Sequence, residues 1–345
     1  MLKVMKEVMG EHDGQAVYSF TMVNNAGMEV TVLNYGCIIT KIMVPDKNGH
    51  EENVVIGHDS LEGYVQDRAF LGAVVGRVGG RIQGGAFELD GRRYTLAQNN
   101  GSNHLHGGIK GFNKVVWNAE EVENGVQFTY LSRDGEEGYP GNLHVQVTYT
   151  LDEENQLRIQ YEAETDKKTI LTLTNHSYFN LSGNLKADIL QHSLQLKSDQ
   201  FLELNEEFIP TGTRLNVEHT PFDFREGSRI EAGTVSKHPQ NVLVGHGYDH
   251  PFLLNEHHNE EIMLRDPVSG RKLTVETDEV GVVVYSGNSL GSTTTFRGTQ
   301  ACSYLGICLE TQALPDAIHH DDFPSTVLDN GETYSSTTVY RFDVE

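Results

Sequence analysis

The sequence predicts an all-β protein, a large antiparallel β-sandwich with few short helices. Three observations carry that expectation. Glycine is abundant and proline scarce, 35 against 9 in 345 residues, which marks tight turns in an ordered chain rather than disorder. Turn dipeptides punctuate the whole length: Asn48-Gly49, Asp90-Gly91, Asn124-Gly125, Asp134-Gly135, Ser269-Gly270 and Asn330-Gly331. Between them lie short runs that alternate apolar with polar residues, and helical periodicity is almost absent.

Taken in order, Phe87-Glu88-Leu89 and Tyr94-Thr95-Leu96 flank Asp90-Gly91-Arg92-Arg93 and read as a hairpin. Leu143, Val145, Val147, Tyr149 and Leu151 alternate with polar residues. After a turn at 152–156, Leu157, Ile159, Tyr161 and Ala163 do the same. This pair predicts an antiparallel ladder with one buried face. Residues 171–181 predict a strand with apolar Leu171, Leu173, Phe179 and Leu181 on one side. Thr172, Thr174, His176, Tyr178 and Asn180 form its polar side. Residues 306–315 predict another, with Ile307 and Leu309 on one face and Cys308, Glu310 and Gln312 on the other. Leu61-Glu62-Gly63-Tyr64 and Arg225-Glu226-Gly227 predict a helical turn or two each. No low-complexity linker and no repeat divides the chain. Residues 1–345 are therefore expected to form one domain of sheets packed face to face.

Charge narrows the partners. Lys and Arg total 26 and Asp and Glu 49, a formal charge of -23. Such a chain is poorly suited to nucleic-acid phosphates or an anionic membrane surface, and a highly phosphorylated substrate is disfavoured. Cys37, Cys302 and Cys308 are few and not closely paired, which fits a reducing compartment. Residues 1–7 lack a continuous apolar core for a secretory signal, and no run of 18 apolar residues exists. The expectation is a cytoplasmic protein that binds neither nucleic acid nor membrane.

Five places gather groups that carry chemistry. His176 sits at the centre of the polar side of 171–181, and histidine is the side chain best placed to exchange protons near neutrality. Gly76-Arg77-Val78-Gly79-Gly80-Arg81-Ile82 sets two arginines among glycines, so backbone and guanidinium can both approach a ligand. In Asn103-His104-Leu105-His106-Gly107-Gly108, a strand would put both imidazoles on one face, as a metal site requires. The carboxylate such a site wants nearby is missing, because Ile109-Lys110-Gly111 follows, so ligand-binding or structural histidines fit better. Asp249, in Tyr248-Asp249-His250-Pro251-Phe252, suits sugar hydroxyls. Glu310, between apolar neighbours, is a candidate base whose pKa burial raises. Each has a plain alternative: arginines in a surface turn, a turn-capping aspartate, an edge-strand glutamate in solvent. His257-His258 and His319-His320 lie among acidic residues in loops and are expected to be solvated.

In combination these segments are more specific. Residues 174–181 (Thr-Asn-His-Ser-Tyr-Phe-Asn-Leu) resemble the signature of the aldose 1-epimerases, the galactose mutarotases. Residues 76–82, Leu105-His106-Gly107-Gly108, Gly138-Tyr139-Pro140-Gly141, Asp249-His250-Pro251-Phe252 and Leu309-Glu310-Thr311-Gln312 follow in that family's order. The resemblance extends over about residues 70–315. It implies a sugar lying across one concave sheet and interconversion of the α and β anomers of free hexoses such as galactose and glucose. It assigns Glu310 as general base and a charged His176 as general acid, with Arg81, His106 and Asp249 holding the sugar. No cofactor and no metal is implied, because ring opening moves protons and no electrons; a monomer or homodimer is expected. Two positions depart from the pattern. Many relatives carry asparagine where this chain has Gly80 and glutamine near Val283, which puts sugar preference and affinity in doubt. Three other functions remain on the same residues. One is a sugar-phosphate epimerase and another a non-catalytic carbohydrate-binding protein. The third is a hydrolase, whose two carboxylates would have to be Asp249 and Glu310.

Overall fold

The computed structural model describes residues 3–291 and 293–345. Three antiparallel sheets organise them. The largest has nine strands in the order Asn118–Val122, Gly125–Ser132, Leu143–Leu151, Gln156–Thr165, Thr333–Val344, Arg271–Thr277, Ile262–Arg265, Ser193–Leu196 and Ser228–Arg229. A six-stranded sheet runs Tyr178–Phe179, Ile307–Gln312, Gly281–Tyr285, Asp249–Leu253, Gln200–Leu204 and Pro210–Asn216. A five-stranded meander is built from Lys3–His12, Gln15–Val23, Glu29–Leu33, Ile39–Pro45 and Glu51–Asn53.

The alternation in the sequence explains how the sheets meet. Val145, Val147, Leu157, Ile159 and Tyr161 turn inward from the nine-stranded sheet. Phe201, Phe252, Val282, Val284, Ile307 and Leu309 do so from the six-stranded one, and all join one buried cluster. Phe179 bridges the layers, its ring 5.2 Å from that of Tyr340. Burying each such side chain stabilises the fold by about 1.5–3 kcal/mol. The expected ladder is present: Leu143 faces Thr165 and Leu151 faces Leu157 in continuous register. The expected hairpin pairs Ala86–Leu89 with Arg92–Thr95 around Asp90-Gly91. Leu61–Gln66 is a short helix whose N-cap, Ser60, accepts a hydrogen bond from Gly63 N–H. Residues 225–227 form a turn and no helix, while Glu231–Thr234 and Pro239–Leu243 are short helices that the periodicity did not announce. Among the described residues no helix is long and apolar enough to cross a membrane.

Residues 171–181 depart from the single strand expected. Thr174–Asn175 pair with Val74–Val75, and Tyr178–Phe179 pair with Ile307–Cys308. Between the two pairs the chain changes partner. Asn175 drives the change: its side chain donates to Gly72 O and accepts from Ser177 N–H, so its amide takes the place of ladder bonds. Both sides of the segment are buried, and the polar side is a lining rather than a solvated face. His319 and His320 are also not free in solvent. Their rings lie 2.7 and 3.7 Å from the fully buried carboxylate of Asp316.

Candidate active site

The face of the six-stranded sheet turned away from the core forms the floor of an open pocket of about 970 Å³. Period 2 dictates what stands there. Ile307 and Leu309 go to the core, so Glu310 and Gln312 go to the pocket. On neighbouring strands Val283 and Tyr285, then Asp249 and Pro251, share that side. Glu310 is on a central strand, paired with Val283, and only 3% exposed. The edge-strand alternative is excluded.

The structure brings His176, Glu310, His106, Arg81 and Asp249 to this one pocket. His176 Nε2 is 3.5 Å from Glu310 Oε1, and its Nδ1 is 3.5 Å from Cys308 Sγ. Arg81 Nη1 is 3.9 Å from Asp249 Oδ2, and its Nε donates to Asn100 Oδ1 at 3.0 Å. His106 Nδ1 accepts from Gly80 N–H, while His106 N–H donates to Gly80 O. That double clamp leaves Nε2 as the nitrogen of His106 able to carry a proton. It depends on two glycines. A Cβ on Gly107 (φ +80°) would lie 1.7 Å from Gly76 O, and one on Gly80 (φ +79°) would lie 2.9 Å from Pro315 Cβ. An asparagine at Gly80 therefore needs a different local packing, and Val283 presents an apolar surface across from Glu310.

Burial governs the charges. It pushes the Glu310 carboxyl well above its ordinary range; the neighbouring Asp249 adds to the shift and Arg81 opposes it. Burial lowers His176 to about 4 and takes His106 well below its usual value. Asp249 is raised by burial, against the pull of Arg81. A charged His176 beside an ionised Glu310 is thus not the form that burial favours; the uncharged pair is. The two descriptions differ only in where one proton sits across a 3.5 Å gap and carry the same net charge.

Other candidates fall outside the pocket. Arg77 is buried and structural. Its guanidinium donates to Ser132 Oγ, Thr169 Oγ1 and the carbonyls of Ser132, Arg133, Pro140 and Gly141. His104 donates to Ala97 O and accepts from Tyr139 O–H at 2.7 Å, so both of its nitrogens are committed. The His104–His106 pair therefore does not converge on an ion. One nitrogen each of His106 and His176 and one oxygen of Glu310 do lie within 4.8 Å of one another. That spacing lets all three address one small molecule. The sequence reading missed the loop 67–73. Phe70 (φ +58°) lays its ring 4.7 Å from His106 and 5.8 Å from His176. Nothing in Asp67-Arg68-Ala69-Phe70 signals this, because a positive φ at phenylalanine comes from tertiary packing.

The family model described as aldose 1-epimerase matches residues 18–341. The galactose mutarotase of Bos taurus is 42% identical over 350 residues, covering 100% of both chains. The aldose 1-epimerase of Escherichia coli K12 is 36% identical over 340 residues, 96% of this chain and 97% of that one. The crystal structure of a galactose 1-epimerase from Lactobacillus acidophilus superposes with a TM-score of 0.89 at 33% identity, covering 100% of this chain and 99% of the other. With the pocket, its buried glutamate–histidine pair and these full-length matches in view, the chain belongs to the aldose 1-epimerase family.

Proposed function

We propose that this protein is an aldose 1-epimerase that interconverts the α and β anomers of free hexoses, galactose and glucose among them. The observation that carries the reading is the buried Glu310–His176 pair, 3.5 Å apart in a pocket that also presents Arg81, His106 and Asp249. Glu310 takes the proton from the hydroxyl on C1. As the C1–O1 bond becomes a carbonyl, the C1–O5 bond breaks, and His176 delivers a proton to O5. Rotation about C1–C2 presents the other face of the aldehyde. O5 then attacks C1 as its proton returns to His176, and O1 recovers the proton held by Glu310. Protons and electron pairs balance with no redox partner. Each positioned transfer contributes roughly 10²–10⁴-fold.

The competent form is the carboxylate–imidazolium arrangement, reached from the uncharged pair by moving one proton. Arg81 and Asp249 grip ring hydroxyls through a guanidinium fork and two carboxylate oxygens. His106, neutral and with its proton on Nε2, donates close to the reacting carbon. Residues from 58 to 315 contribute to the pocket, which supports one site-bearing domain. The unpaired Cys37, Cys302 and Cys308 support a cytoplasmic setting. Polarimetry tests the function: freshly dissolved α-D-glucose or α-D-galactose reaches equilibrium faster with the protein. Rates on glucose and glucose 6-phosphate, compared side by side, separate this reading from a sugar-phosphate epimerase.

A further inference from the structure

The His176 imidazole is held by more than its own segment. Its backbone is clamped by the loop 67–73: Gly72 N–H donates to His176 O at 3.0 Å, and His176 N–H donates to Ala73 O at 2.9 Å. Asn175 Nδ2 donates to Gly72 O. The same loop carries Phe70, whose ring lies against both His106 and His176. One side chain closes this loop. Asp67 Oδ2 accepts from Leu71 N–H at 3.0 Å, directly before the Gly72 contact. The carboxylate is 11% exposed and lines the same pocket. Its other oxygen, Oδ1, lies 3.6 Å from His58 Nε2, which is buried with no hydrogen-bond partner.

We infer that Asp67 is a positioning residue for His176, fixing the loop that clamps the His176 backbone and bringing a carboxylate into the pocket that His176 lines. This rests on the reading of His176 as proton donor. The groups that face His176 come from every neighbouring element. Tyr178 is on its own segment, Cys308 and Glu310 on Ile307–Gln312, and Tyr285 on Gly281–Tyr285. His106 comes from the adjoining loop and Phe70 from 67–73, and the Asp67 carboxylate lines the same pocket. Burial drives His176 toward the neutral form, and the charge of Asp67 pulls the other way. Without that charge, the share of the Glu310–His176 pair present as carboxylate–imidazolium falls.

The test is a pair of variants, one isosteric and one that keeps the charge. Asp67→Asn keeps an acceptor for Leu71 N–H and removes the charge; Asp67→Glu keeps the charge. Asp67→Asn is expected to lower kcat about threefold to tenfold, the span of half to one pKa unit, with KM nearly unchanged. The low-pH limb of kcat/KM moves to lower pH, since a lost negative charge makes His176 harder to protonate. Asp67→Glu recovers kcat. A wild-type kcat and limb in Asp67→Asn, or no recovery in Asp67→Glu, overturns the inference. If the wild-type protein itself fails to speed mutarotation, the proposed function fails instead. NMR titration of the His176 ring in wild type and Asp67→Asn still scores Asp67. A lower titration midpoint in the variant supports the inference, and an unmoved one refutes it.

Discussion

The two arginines of the glycine-rich segment make opposite predictions although they stand four residues apart. Arg77 is 2% exposed and supplies donors to four main-chain carbonyls and two hydroxyls. Replacing it with methionine keeps the bulk and removes every donor. At about 1–1.5 kcal/mol for each of the four stranded carbonyls, Arg77→Met costs about 4–6 kcal/mol of stability. Arg81 is different. Its contact to Asp249 is 3.9 Å long, with the two side chains 17% and 24% exposed, so Arg81→Met changes stability by about 1 kcal/mol or less. In its proposed sugar-holding role Arg81 supplies a charge-assisted bond worth about 1.5–3 kcal/mol, so the variant is expected to raise KM about 10- to 100-fold. Urea unfolding and polarimetric kinetics per folded molecule measure both quantities. The reasoning is refuted if Arg77→Met unfolds like wild type, or if Arg81→Met keeps its KM.

Three further outcomes follow from the same geometry. The pH profile of kcat/KM is a bell. Activity is lost as pH falls through about 4, where His176 and Glu310 both hold protons, and again as pH rises through the elevated range of Glu310, where the pair loses its last proton; a profile flat from pH 3 to 10 contradicts this. Val283→Gln adds an amide to the pocket floor beside Glu310 and is expected to lower KM for galactose about threefold to tenfold, one hydrogen bond's worth, as initial rates over a substrate series will show. Dialysis against a chelator is expected to leave the mutarotation rate unchanged, because the proposed proton transfers use His176 and Glu310 directly; a loss restored by adding a divalent ion would assign His106, His176 and Glu310 a different task.

How much of this was legible depended on the distance over which each interaction acts. Period 2 in 143–151, 157–163 and 307–312 needs only the strand itself, so the ladder and the pocket-facing Glu310 could be read directly. Residues 171–181 misled the same rule. Asn175 substitutes side-chain bonds for ladder bonds, and a two-residue pairing on either side leaves no long alternation to follow. Arg77 and Arg81 look alike in sequence because their difference lies in loop 132–141, more than fifty residues on. His104 was ambiguous for the same reason, since its partners are Ala97 O and the Tyr139 hydroxyl. The histidines at 319–320 looked solvated because nothing local shows that Asp316 is buried. Charge states were the least legible. The types of His176 and Glu310 announce proton transfer, but only the depth of the pocket says that their uncharged forms are favoured.

The central claim is that Glu310 and His176 together open and close the sugar ring. Glu310→Gln tests it most directly, since it keeps the shape of a side chain that is 3% exposed while removing the base. The α-D-galactose mutarotation rate, followed by polarimetry on variant protein with wild-type circular dichroism, is predicted to fall at least about 10²-fold, the lower bound for losing one positioned proton transfer. A folded Glu310→Gln variant that equilibrates α-D-galactose at the wild-type rate would contradict the account.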